Sequence, residues 1–305
     1  MRMTVVRTGP RVVLKDAGRL GYAEYGVAPS GPVDRAAYTA ANRLVGNRAG
    51  AAVLECLLGG LVVRFDAPAV VALTGADATL LVGVTEVPAG VAVEVAPDVP
   101  VEVTTPRAGV RSYVAVAGGI AVPPVLGSRS TDALGGIGPP ALRPGDTLPI
   151  GPAPAGHRGP APGGQLSGGL LSGGLLSGGP APGDGVLVVT VDLGPRNDWF
   201  APRTIATFLT AGYTVAPASD SVGVRLSGPP LPRSREGELP SEGVVRGAVQ
   251  VPPDGQPIVF AADHPLTGGY PVIAVVHPRD TDRLGQARPG QTVRFALATD
   301  FLEDP

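Results

Sequence analysis

LVVRFDAPAVVALTGADATLLVGVTEVPAGVAVEVAPDVPVEV, residues 61–103, decides the fold class. Its apolar residues come in short runs, 61–65, 70–74, 80–84, 91–95 and 99–103, rich in valine and parted by Asp-Ala-Pro, Gly-Ala-Asp, Pro-Ala-Gly and Pro-Asp. A branched Cβ suits a pleated strand and crowds a helix, while Pro, Gly and Asp end each run in a turn. The stretch therefore reads as successive β-strands with tight connections. The same rhythm continues outward, at 5–6, 11–14 and 112–116, then at 186–191, 213–216, 247–251, 258–261, 272–276 and 292–296. Short strands at such spacing build barrels or sandwiches.

Composition agrees. The 305 residues include 45 glycines and 35 prolines, which disfavour helix interiors and exclude bundles and coiled coils. With 44% hydrophobic and 16% charged residues the chain can bury a large core, and disorder throughout is excluded. A net charge of −2 provides no basic field for nucleic acid. Cys56 is the single cysteine, so neither an internal disulfide nor a cysteine zinc site can form. The N-terminus runs straight into a strand pattern without a signal-peptide core, and the uncharged stretch 159–183 is too rich in Gly, Pro and Ser to span a membrane. A cytoplasmic protein without membrane association is expected.

That uncharged stretch also marks a boundary. Its repeated Leu-Ser-Gly-Gly-Leu units bury too little apolar surface to offset the entropy of ordering. The expected organisation is an N-terminal β-domain at 1–150, a flexible linker at 151–185 and a C-terminal β-domain at 186–305. Three helices interrupt the strands, at 33–45, 198–209 and 280–286. In the first, Val33, Ala37, Ala40 and Leu44 share a face, Pro32 fits the first turn, Asp34 lies near the positive end of the dipole, and Gly46-Asn47 ends the run. Arg143-Pro144-Gly145-Asp146-Thr147-Leu148 returns as Arg288-Pro289-Gly290-Gln291-Thr292-Val293, each near the end of its half, as two related β-domains would show.

Several chemistries are excluded. Lys15 is the only lysine and is followed by Asp16, so no P-loop Gly-Lys-Ser/Thr exists, and Leu14-Lys15-Asp16 is not a biotin-attachment hairpin. No Gly-x-Ser-x-Gly elbow and no His-Glu-x-x-His helix occurs. His157, His264 and His277 are scattered, and no metal site is expected. Cys56, between Glu55 and Leu57, reads as a small core residue. Glu55 itself lies in an apolar run, and if buried it must be paired, most simply with an arginine.

What remains is a set of Gly-rich turns carrying Asp and Arg, at 16–21, 26–34, 74–77, 219–226, 251–255 and 263–270. Glycine lets backbone N–H groups approach a carboxylate or phosphate, though each turn alone also suits a plain hairpin. Their sequences, Asp16-x-Gly18-Arg19-x-Gly21, Ser30-Gly31-x-x-Asp34, Ala41-Asn42-Arg43-Leu44-Val45-Gly46-Asn47 and Leu73-Thr74-Gly75-Ala76, are joined by three longer stretches. These are Ser112-Tyr113-Val114-Ala115-Val116-Ala117-Gly118-Gly119, Leu126-Gly127-Ser128-Arg129-Ser130-Thr131 and Gly247-Ala248-Val249-Gln250-Val251-Pro252-Pro253-Asp254-Gly255. With Thr267-Gly268-Gly269-Tyr270-Pro271 they resemble the allophanate hydrolase subunit 2 family, the biotin-dependent carboxyltransferase-like proteins that include the C subunit of bacterial 5-oxoprolinase and KipA-type regulators. The resemblance covers nearly all of the chain except the linker.

It implies a mainly β protein with few short helices, built as two cyclophilin-like β-barrel domains. It implies the C subunit of an ATP-dependent 5-oxoprolinase, acting with companion A and B subunits to cleave 5-oxo-L-proline to L-glutamate. ATP would act through the complex, no biotin would be attached to this chain, and the substrate would be a small amide or carboxylate. The alternatives are a carboxyltransferase component of a urea or allophanate system and a KipA-like regulatory binder without activity of its own. The chain departs from the family pattern at Lys15, where glutamine is frequent, and at Ser221 and His264, where arginines are usual. Neither replacement copies an arginine fork.

If the turns line a barrel mouth, Arg19 and Arg225 are candidates to hold an anion, or else to pair with Asp34 or Asp220. Asp16 and Asp263 are candidate proton carriers, or turn caps. Gln250 offers an amide to a substrate amide, or is a buried amide satisfied by backbone. Thr267, Gly268 and Gly269 offer donors to a developing oxyanion. Ser30, Asp34 and Tyr270 complete the substrate-contacting set, Tyr270 also reading as a packing residue.

Overall fold

The computed structural model describes residues 1–153 and 185–298. The expected linker, 151–185, and His157 with it lie almost wholly outside the described residues. These residues group into two compact units. The first holds Met1–Arg19, Ser30–Asp132 and 136–153, and the second holds Leu20–Pro29, Ala133–Gly135 and 185–298.

In the first unit the valine runs form two sheets. One has the order Thr147–Pro149, Arg2–Arg7, Val62–Phe65, Val101–Val103, Thr79–Val82, Thr85–Pro88. The other runs Arg11–Lys15, Val53–Leu57, Arg111–Val116, Ala69–Gly75, Ala92–Val95, all antiparallel. Its central strand, Arg111–Val116, is buried at every position. Period-two alternation explains this: Val114 and Val116 enter the main core with Leu54, Phe65 and Leu73, while Tyr113 and Ala115 face the other way. There they meet Ala37, Tyr38 and Ala41 of helix α1 (Arg35–Leu44). Asp34 caps α1, its side chain accepting from the Ala37 N–H at 2.9 Å. The helix thus begins two residues later than periodicity alone suggests, at a position where a short acid satisfies an orphan N–H.

The second unit closes into a barrel. Its strands follow the ring Leu187–Leu193, Val272–Val276, Ala248–Gln250, Ile258–Phe260, Gly223–Ser227, Tyr213–Val215, Thr292–Leu297, the last pairing in parallel with the first. Phe208 of helix α2 (Pro202–Thr210) stacks on Phe295 at 4.3 Å between centroids, and Tyr213 tilts against both. Helix α3 spans Pro278–Leu284. The expected second helix, 198–209, is broken by Pro202: Ala201 before it is extended, as a residue preceding proline prefers, and the segment Asn197–Trp199 forms its own 3₁₀ turn. The mainly β expectation holds, with a closed barrel in one unit and two sheets in the other.

The repeated six-residue phrase makes the same turn twice. Gly145 and Gly290 have φ of 94° and 89°. Each donates its N–H at 2.8 Å to a strand residue, Val5 and Val215. The fourth residue of each phrase, Asp146 or Gln291, caps the N–H of its arginine at 2.8 and 3.2 Å.

Candidate functional site

The first unit concentrates polar groups where the strand Arg11–Lys15 runs into its Gly-rich turn. Asp16 is buried, and its carboxylate accepts from the Gly18 N–H (3.0 Å), Ser128 Oγ (2.5 Å), Ser130 Oγ (2.8 Å) and the Arg129 N–H (2.5 Å). Four donors engage its two oxygens in tying residues 128–130 to the turn, which is capping work. Lys15, 1% exposed, donates through Nζ to the Thr131 carbonyl at 2.7 Å and to Ser30 Oγ at 3.4 Å. Ser30 also donates to the Thr131 carbonyl, at 3.3 Å. It holds a φ of 55°, a left-handed conformation that costs a non-glycine residue of order 1–3 kcal/mol. Arg19 is 2% exposed and donates to the Ser130 carbonyl at 2.6 Å rather than to Asp34. Its Nη1, buried as well, has no hydrogen-bond partner among the described residues.

Asp34 belongs to a second network. Its N–H donates to the Tyr113 hydroxyl at 2.8 Å, and that hydroxyl donates to Glu55 Oε2 at 2.7 Å. Glu55 also accepts from the Val33 N–H at 3.1 Å and forms an ion pair with Arg111 at 3.8 Å, meeting the expectation that a glutamate in an apolar run finds an arginine. Burial, followed by the nearby charges of Glu55 and Asp34, holds the Tyr113 phenol well above its ordinary pKa. Tyr38 is likewise pushed up, by burial and then by Asp16.

In the second unit the turn 267–270 lies against Gln250. Thr267 and Gly268 pair with Gly243 and Glu242 in a two-strand ladder. Gln250 is buried and donates through Nε2 to the Tyr270 carbonyl at 3.0 Å, while its Oε1 has no partner among the described residues. A Cβ at Gly268 would lie 2.3 Å from that Nε2, so only glycine admits the amide. Tyr270 is 43% exposed rather than packed in the core, with the Arg233 guanidinium 5.6 Å above its ring. Arg233 also donates to the Val251 carbonyl at 2.8 Å. Sequence reasoning missed it, because it sits in a Pro-Arg-Ser stretch with no glycine signal.

Asp263 is fully buried, its Oδ2 accepting from the Ala133 N–H at 3.3 Å and its own N–H donating to the Ser221 carbonyl at 2.8 Å. His264 follows it and stacks on Phe260, with Nδ1 2.7 Å from the Pro265 carbonyl. Both positions that depart from the family's arginines therefore lie beside Asp263. Arg225 stands apart: on Gly223–Ser227 the neighbours Val224 and Leu226 point inward, so Arg225 is exposed, with no side-chain partner among the described residues. Asp220 caps the Val222 and Gly223 N–H groups instead of pairing with it. Among the described residues no His/Cys/Asp/Glu cluster is placed to hold a metal, and no helix is long and apolar enough to cross a membrane.

This fold and these turns define a carboxyltransferase-type chain. The carboxyltransferase domain family, subdomain A and B, matches residues 25–297, and the protein belongs to it. More particularly, it is similar to the C subunit of 5-oxoprolinase from Escherichia coli K12, at 36% identity over 96% of this chain and 90% of that one. Among solved structures, TTHA0988 matches at 36% identity with a TM-score of 0.82, over 97% of this chain and 55% of that chain. The urea carboxylase of Kluyveromyces lactis matches at 29% identity with a TM-score of 0.85, over 97% of this chain and 27% of that chain. The protein thus spans about half of one solved chain and about a quarter of the other.

Proposed function

We propose that this protein is the C subunit of a multi-subunit, ATP-dependent 5-oxoprolinase that cleaves 5-oxo-L-proline to L-glutamate with companion A and B subunits. The observation that carries the reading is the end-to-end match to a protein bearing that subunit's name, at 36% identity over 90% of its length. Opening a lactam requires water at the carbonyl carbon, cleavage of the C–N bond and a proton for the departing nitrogen. Gln250 suits the ring amide: with Nε2 committed to Tyr270, its Oε1 is left to accept the lactam N–H. Asp263 is the carboxylate we assign to proton transfer, and Thr267, Gly268 and Gly269 supply the backbone that faces the carbonyl oxygen as charge develops. In the first unit Arg19 offers Nη1 to an anion, and Ser30 and Asp34 hold their loop in place. ATP belongs to the assembled complex, since this chain has no P-loop.

Co-expression with the companion subunits tests the proposal. ATP-dependent release of L-glutamate from 5-oxo-L-proline is expected only when this chain is present. Gln250→Leu is expected to lower kcat/KM at least tenfold, about 1.4 kcal/mol, with the complex intact. Full activity from the companions alone overturns the reading. A second reading, a carboxyltransferase component, is favoured by the likeness to the Kluyveromyces lactis urea carboxylase. It predicts instead biotin-dependent carboxylation of urea by the same preparation once a biotinyl carrier is supplied. A complex that assembles yet catalyses neither reaction points to a KipA-like regulator.

A further inference from the structure

The first unit contains a cavity of about 580 Å³, a volume common for small-molecule sites. Asn47, Arg48, Gly118, Gly119, Arg129 and Gly151 line it, with small apolar residues between them and no carboxylate. Three of the sequence stretches noted above, 41–47, 112–119 and 126–131, each send residues into it, and none of those lining residues serves the reaction proposed above.

The wall is rigid. Asn47 donates through Nδ2 to Asn42 Oδ1 (2.8 Å) and the Val116 carbonyl (2.9 Å), and accepts through Oδ1 from the Gly118 N–H (2.8 Å). Gly118 has a φ of 95°, and a Cβ there would lie 2.2 Å from the Gly151 carbonyl, so this side of the cavity is bare backbone. Arg129 is fixed at two points, its N–H on Asp16 and its Nε on the Val122 carbonyl at 2.6 Å. That leaves both Nη groups without a partner among the described residues. Arg48 is exposed and has no side-chain partner among them either. Two arginines whose guanidinium groups keep uncommitted donors therefore line the cavity, and no carboxylate is among its lining residues, the Asp16 carboxylate being engaged by the Arg129 backbone N–H and by Gly18, Ser128 and Ser130.

We infer that this cavity binds a small organic anion, a carboxylate or phosphate monoester no larger than a mononucleotide. Like charges held on a concave surface raise the local concentration of anions, and a guanidinium fork fits the two oxygens of either group. The glycine and alanine lining leaves room for a short apolar body and offers it no polar partner.

Titration calorimetry on the full chain tests the inference with three probes: inorganic phosphate, AMP and glutarate. At least one is expected to bind, with affinity falling as salt rises. Phosphate or AMP binding alone assigns a phosphate ligand, and glutarate binding alone assigns a carboxylate. Arg48→Gln breaks no side-chain hydrogen bond or ion pair among the described residues and is expected to weaken binding at least tenfold with unchanged thermal stability. Arg129→Lys keeps the charge while losing the fork, and is expected to weaken binding by less than Arg129→Gln. Failure of all three probes to bind at roughly 10 mM, or binding that Arg48→Gln leaves unchanged, overturns the inference.

Discussion

Tyr113 is fully buried, and its hydroxyl works in two directions, accepting the Asp34 N–H and donating to Glu55. Because burial and two neighbouring carboxylates hold its pKa well up, it remains a phenol wherever the protein is folded. Tyr113→Phe leaves the Asp34 N–H without its acceptor and takes a donor from Glu55, so a loss of about 1–3 kcal/mol is expected in urea unfolding. A loss below about 0.5 kcal/mol would mean that water or another group replaces the hydroxyl. The sequence showed half of this network. A glutamate among valines demands a cation, and Arg111 supplies it; a short acid before a helical run suggests a cap, and Asp34 is one. Tyr113 itself was not legible, because an aromatic in an apolar strand reads as filler, and its partner Glu55 lies 58 residues away. Arg225 shows what the sequence could not place. Glycine and aspartate around it suggested a ligand-holding turn, but the pleat of Gly223–Ser227 turns it out to solvent.

Helices in this protein are short and are held by specific bonds more than by length. In α3, Asp280 is 2% exposed, and it accepts from the Thr190 N–H and from Arg283, both at 2.8 Å, tying the helix to the strand Leu187–Leu193. Burial alone would raise its pKa, but the Thr190 and Arg283 donors outweigh burial and lower it. A depressed carboxylate adds stability that is present above its unfolded pKa, about 4, and is lost as pH falls through the lower folded value. Asp280→Asn is therefore expected to cost about 1–3 kcal/mol at pH 7, with the gap to the parent protein narrowing below about pH 4. An equal gap at pH 7 and pH 3 in parallel urea titrations would refute it. At this scale hydrophobic rhythm found most strands and all three helices. Among the strands it missed are Val53–Leu57, Thr85–Pro88 and Gly223–Ser227, the last because polar residues alternate there with only two apolar ones, and it ran the second helix through Pro202. The phrase 143–148 and its repeat 288–293 were legible as sequence, and the shared turn shows why they match: each needs glycine at positive φ and a side-chain cap three residues after its arginine.

Each unit carries its own apolar core and its own natural reporter. Cys56 lies in the first core, where burial and then Glu55 hold its thiol far above the usual range, so alkylation requires that core to open. Trp199, the single tryptophan, is 8% exposed in the second core. The Gly-Ser-Leu repeat suggested a clean division near residue 150, and composition could suggest no more, because the membership of Leu20–Pro29 and Ala133–Gly135 in the second unit depends on contacts far apart in the chain. Their membership has a consequence for any fragment. Residues 186–305 made alone lack the Ala133 N–H that donates to Asp263, a carboxylate with no exposed surface, and removing a donor from a buried acceptor costs about 1–3 kcal/mol. The Trp199 transition in urea is expected at lower denaturant in the 186–305 fragment than in the full chain. Within the full chain, Phe295→Ala, which removes the ring stacked on Phe208, is expected to cost about 3–5 kcal/mol and to move that same transition. It should shift Cys56 alkylation less, because Phe295 contributes to the second core alone. Coincident Trp199 transitions in fragment and full chain would show that the two short N-terminal pieces add nothing to the barrel.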